Sequence, residues 1–87
     1  MTRGGDVAMD RGLFFPVPVT LPDGSVFCVA DVIQVGDFLL HHWPGPDSPT
    51  QSRARRACLR FLDGQATPLE VREAFEEAAE EVGILVH

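Results

Sequence analysis

The chain is 87 residues long and 45% apolar, with 13 Asp and Glu against 7 basic residues, all Arg, for a formal net charge of −6. That length suits one small domain, which buries only about 60% of the surface its unfolded chain exposes. The negative charge argues against a nucleic-acid backbone or an anionic membrane as the main partner, and no apolar run approaches the ~20 residues of a bilayer-spanning helix.

Residues 1–12 mix Gly, Asp and Arg with little to bury and read as a disordered tail, leaving 13–87 as a single domain. The tail lacks the apolar centre of a secretory signal, so a cytoplasmic location is the expectation. From Leu13 the pattern changes. Phe15, Val17, Val19 and Leu21 alternate onto one face, as a half-buried strand requires. Pro16 and Pro18 fall on the other phase; neither can donate to a ladder, so the strand lies at an edge or is regular only from Val17. Leu21-Pro22-Asp23-Gly24-Ser25 is turn chemistry, and Val26-Phe27-Cys28-Val29 resumes the apolar run, which together make a β-hairpin.

Three capped helices follow. Asp31 caps the first, with Gln34 placed to complete a capping box. Its apolar stripe is Val32, Val35, Leu39, Leu40 and Trp43, with Gln34, Asp37 and His41 facing away. Phe38 sits off that stripe, partly exposed, and Gly36 leaves room for another backbone to approach. Trp43-Pro44-Gly45-Pro46 ends the helix. Ser48-Pro49-Thr50-Gln51 opens a second helix over 49–63, burying Ala54, Ala57, Cys58, Phe61 and Leu62, with Arg53, Arg56 and Arg60 along its flank. Thr67-Pro68-Leu69-Glu70 opens a third over 68–82, burying Val71, Ala74, Phe75, Ala78, Ala79 and Val82. In both, a hydroxyl caps, proline takes the first helical position, and Gln or Glu reaches back. Gly64 and Gly83 close them. Ile84-Leu85-Val86 is a short extended segment that docks on the core or pairs as a strand.

The third helix poses an electrostatic problem. Glu73 and Glu77, Glu77 and Glu81, and Glu76 and Glu80 are like charges four apart, each pair costing about 0.2–0.5 kcal/mol. Glu80 and Glu81 also sit where the helix dipole disfavours them. Either the face is simply solvated, or a positive surface compensates, and the neighbouring Arg53, Arg56 and Arg60 are the nearest source. Those three Arg form a basic patch that suits a phosphate, but no aromatic platform or Gly-rich cradle accompanies them, so nucleic acid is a minor expectation.

No catalytic constellation emerges. Cys28 and Cys58, the two cysteines, lie in apolar surroundings and read as buried small hydrophobes rather than a disulfide. His41 and His42 diverge by 100° on a helix and do not share one ion, and no metal-ligand spacing links them to His87 or the cysteines. No nucleophile stands with a placed base. The expectation is therefore no enzyme, no cofactor and no metal.

Several segments in order resemble a known family: Pro18-Val19-Thr20, Leu39-Leu40-His41-His42-Trp43-Pro44, Ala57 to Gly64, Pro68 to Ala79, and Gly83-Ile84-Leu85-Val86. Together, over residues 14–86, they are similar to small bacterial proteins catalogued as domain of unknown function number nine hundred and eighty-two. The resemblance implies a free-standing bacterial single-domain protein and supplies no activity, cofactor or site residue. Gly36 and Asp31 depart from the pattern, which usually has a larger apolar residue and Ser there.

The expected architecture is α+β: an N-terminal β-hairpin packed on three helices, with a short extended C-terminal segment. The expected role is a non-enzymatic protein-interaction or regulatory module whose partner is either another protein or a second copy of itself in a homodimer. Its expected contact surface joins the acidic face of Glu73 and Glu77 to an apolar patch of Phe38, Trp43 and Leu85. The alternative is a nucleic-acid-binding accessory protein using Arg53, Arg56 and Arg60.

Overall fold

The computed structural model describes residues 11–87; of the tail expected over 1–12, residues 1–10 lie outside them. The described residues form an antiparallel hairpin of β1 (Leu13–Thr20) and β2 (Val26–Asp31), then α1 (Val32–His41), α2 (Pro49–Leu62) and α3 (Pro68–Glu81). This is the expected α+β arrangement of a hairpin and three helices.

Regular pairing in the hairpin begins at Val17, which faces Val29, and continues through Val19 opposite Phe27. Between Leu13 and Val17 the register slips. That irregularity turns Phe15 away from the core, leaving it 80% exposed instead of inward as its alternation suggests. Its carbonyl and ring are held instead by Arg72 of α3, which donates Nε to Phe15 O at 2.7 Å and sits 5.9 Å from the ring centroid. The prolines are accommodated by strand alternation. Thr20 N donates to Ile84 O and Val86 N donates to Pro18 O, so the even positions of β1 turn their backbone groups away from β2. The missing N–H of Pro18 therefore falls outside the hairpin ladder. Leu85 makes a single antiparallel bridge to Val19 and no third strand. At the turn, Asp23 Oδ1 accepts from Ser25 N at 2.9 Å and Ser25 Oγ at 2.7 Å, which holds its carboxyl below the usual range.

The core lies between the hairpin and the helices: Val17, Val19 and Val29 from the strands, Val32, Val35, Phe38 and Leu39 from α1, and Ala54, Ala57, Val71, Phe75, Ala78 and Ala79 from α2 and α3. The small residues let α2 and α3 pack along each other over their length. All three N-caps are made, by Asp31, Ser48 and Thr67, each accepting from the amide three residues on. Only Thr67 and Glu70 complete a reciprocal box. Gln34 overshoots: its Oε1 accepts from Ala30 N at 2.6 Å, satisfying a donor of β2 instead. Gln51 is buried and turns toward Arg55. Gly64 and Gly83 take φ of +76° and +78°, and Gln65 N to Arg60 O and Ile84 N to Ala79 O close the 6→1 bonds of two helix C-caps.

Candidate functional site

The acidic helix resolves its own repulsion. Glu76 pairs with Arg72 at 2.9 Å, Glu77 with Arg53, and Glu80 lies 3.9 Å from His87. Glu81, at the C-terminal end of α3, accepts from Ser48 Oγ and Thr50 Oγ1. The antiparallel packing of α2 and α3 thus lays a carboxylate on the positive end of the α2 dipole. Glu73 has no ion-pair partner among the described residues, so of the two acids expected at a contact surface only Glu73 is uncommitted.

The three expected basic residues lie along one groove but differ in their partners. Arg53 is taken by Glu77, and Arg60 Nη2 donates to Gln65 O at 3.0 Å, closing the end of α2. Arg56 has no carboxylate partner among the described residues. All three border a groove of about 550 Å³ between α2 and α3 that Glu70 also lines. His41 and His42 both approach Asp37, at 3.9 and 3.8 Å, as a local surface cluster. Among the described residues, no group of three or more His, Cys, Asp and Glu is placed to hold a metal ion, and no helix is long and apolar enough to cross a membrane.

Two sequence expectations are corrected here. Phe38, expected at an exposed patch, is 3% exposed and belongs to the core. It stacks edge-on against Phe75 at 5.8 Å and Trp43 at 6.2 Å, and aromatic payload outweighs its off-centre place on the stripe. Trp43 and Leu85 pack half-buried against that core, so Phe38, Trp43 and Leu85 form no exposed patch. Cys28 is exposed, because Val29 faces inward and strand alternation sends its neighbour out. Cys58 is the buried thiol, and burial pushes its pKa up to about 11. Both cysteines are free.

The exposed apolar surface lies elsewhere, around α1. Leu40 and Leu62, expected inside, are 72% and 63% exposed, and Leu59 is 62% exposed. With Ile33 and Gly36 they line a groove of about 500 Å³ between α1 and α2. A second groove of about 470 Å³, between α1 and the hairpin, is lined by Leu21, Phe27, Ile33 and Phe38. The two share Ile33 and Asp37, so they flank one ridge and make one continuous face. Nothing lies within 4 Å of where a Gly36 side chain would begin.

The cause is visible in α1. At 100° per residue its apolar residues, Phe38 through Val35, Leu39 and Val32 to Gly36, Leu40 and Ile33, sweep about 220° of the helix, roughly twice the width that one core-facing stripe needs. The core takes the half centred on Val35. The remaining half, Ile33, Gly36 and Leu40, looks outward. Counting Ile33 and Gly36 into the stripe was the sequence signal for this face.

Comparison with known proteins agrees on the architecture. A solution NMR structure of the Agrobacterium tumefaciens protein Atu1219 superposes with a TM-score of 0.79 at 26% identity, over 100% of this chain and 87% of that one. None of the curated proteins compared matches the chain. The model of the family described as "Protein of unknown function (DUF982)" matches residues 15–86, nearly the whole described domain, and the chain belongs to that family.

Proposed function

We propose that this chain is a non-enzymatic protein-interaction module whose docking surface is the apolar face around α1. One observation carries the reading. Leu40, Leu59 and Leu62 stand more than half exposed on adjoining helices, beside Ile33 and Phe27. Together these five residues leave about 500 Å² of apolar side chain in water, at the upper end of the largest patch on an ordinary monomer. Other exposed apolar residues, such as Leu69 and Val86, stand apart from this face. The face also combines grooves with a ridge, which is the relief that a protein partner fills. The basic groove supports nucleic-acid binding less well, since Arg53 and Arg60 already have partners and Glu70 of α3 lines the opposite wall.

The test is site-specific photo-crosslinking of the full chain in its own cells. A photoreactive residue in place of Leu59 is expected to give a discrete covalent protein adduct, whereas one in place of Glu73, on the outer face of α3, gives none. Absence of any adduct from position 59, or an equal yield from position 73, would overturn the reading.

A further inference from the structure

We infer that the partner at this face is a second copy of the chain, in an isologous dimer that sets the α1 ridge of each copy into the groove between α1 and α2 of the other. This rests on the reading of the α1 face as a docking surface. Three observations select a second copy.

The first is shape. An isologous contact needs one patch that is its own complement. Here a ridge of Ile33, Asp37 and Leu40 runs beside a groove walled by Leu59 and Leu62, so a two-fold axis places each ridge over the opposite groove. Gly36, with open space beside it, is the low point of the ridge and lets the two α1 helices cross closely.

The second is charge. The chain carries a net −6 and its α3 surface is rich in Glu, so most pairings of two copies are repulsive. The α1 face is the exception. Among the residues lining its two grooves there is one carboxylate, Asp37, and one guanidinium, Arg55, on opposite walls of the α1–α2 groove. Arg55 is held loosely, at 3.8 Å from Asp47 and 3.5 Å from Gln51 Oε1, and Asp37 by its histidines, and these charged side chains are all well exposed. A two-fold axis through the groove brings Asp37 of each copy toward Arg55 of the other, giving two matched pairs and no like-charge contact.

The third is area. Two such faces, if wholly covered, remove up to about 1,000 Å² of apolar surface from water, near the area a specific protein interface must clear once the flanking polar residues are added. A small domain gains burial by this route that its own core is too small to supply.

The experiment is light scattering during size-exclusion chromatography of the purified full chain, at concentrations up to about 1 mM. The expected mass is twice the 9.5 kDa of one chain, at low and at high salt alike, because apolar burial is not screened. Leu59→Glu is expected to raise the dissociation constant by at least ~30-fold without changing the circular dichroism spectrum. Leu69→Glu, exposed at the start of α3, is expected to leave the dimer unchanged. Asp37→Arg is expected to weaken the dimer about 10-fold, and adding Arg55→Asp restores it to within ~3-fold, a rescue that a merely structural role does not produce. A monomer mass at every concentration, or a dimer indifferent to Leu59→Glu, would overturn the inference. A monomer together with a crosslinked adduct at position 59 of some other mass overturns the second copy and leaves the docking face standing; no adduct at all removes both.

Discussion

Cys58 faces the core from α2 while Cys28 faces solvent from β2, and that difference is measurable. Cys58 sits between α1 and α2 with its thiol pKa raised to about 11 by burial, from 9.0. The folded state therefore keeps a proton that the unfolded chain gives up, and between pH 9 and pH 11 stability falls as pH rises. Urea unfolding of the wild type should show that alkaline loss, and Cys58→Ala should flatten it; an unchanged slope would mean that another group is responsible. In parallel, a thiol reagent at pH 8 should label Cys28 within seconds and Cys58 only on unfolding. Gly12 is the second residue where a single atom decides. At φ +73° a Cβ would meet Val32 Cγ2 at 2.5 Å and Phe61 Cζ at 2.9 Å, while Val32 N donates to the backbone carbonyls of Arg11 and Gly12. Gly12→Ala combines left-handed strain with overpacking, and a loss of about 1–3 kcal/mol is expected in denaturant unfolding. An alanine that costs nothing would show that this turn is free to move off the core. Residues 1–12 read as unburied from composition because no composition rule sees a glycine seated under a valine.

Caps and charges belong to the scale of the element. Thr67→Ala breaks a complete capping box and should destabilise by about 1 kcal/mol. Ser48→Ala should cost more, since its hydroxyl both caps α2 and contacts Glu81 of α3. Glu81 links the two helix ends, so Ser48→Ala and Glu81→Gln should be non-additive, with a coupling of at least ~0.5 kcal/mol in a double-mutant cycle. Additive effects would mean that Glu81 stays in solvent. Much of this scale was legible in the sequence: the caps at Asp31, Ser48 and Thr67, the closing glycines and the hairpin turn are local chemistry written in adjacent residues. Less legible was which half of an over-wide apolar arc meets the core. For α1 the choice fell on Phe38 over Leu40, because Trp43 and Phe75 are waiting there, and Phe75 lies far along the chain. The outward half then became the candidate site, so the same ambiguity that misplaced Phe38 also hid Ile33 and Leu40, across the groove from Leu59 and Leu62 of α2. The acidic helix was more legible. Its charges called for compensation with the neighbouring Arg helix as the nearest source, and antiparallel packing supplies Arg53, together with an α2 N-terminus that spacing alone did not place.

At the scale of the molecule the C-terminal segment is what turns a marginal hairpin into part of a domain. A two-stranded ribbon is barely stable alone and leaves both edges open to other chains. Here β1 has its outer edge closed by Thr20 N to Ile84 O and Val86 N to Pro18 O, and Gln34 takes up one donor, Ala30 N, of β2. Ile84 and Leu85 add half-buried apolar surface against the core. Ending the chain at Gly83 removes both backbone bonds and that packing together. Half-burial of two large aliphatic side chains is worth about 2 kcal/mol, and two net hydrogen bonds another ~1–3 kcal/mol, a large share of the 5–15 kcal/mol that holds a typical domain. The truncated chain should therefore unfold at clearly lower urea and aggregate through the bared β1 edge at concentrations where the full chain stays clear. The α1 face lies against β2 and α2 rather than beside β1, so Leu59→Glu should suppress dimerisation in the full chain yet leave the truncated chain's aggregation untouched. If Leu59→Glu cures both, a single surface governs association, and the edge of β1 is not the liability its geometry implies.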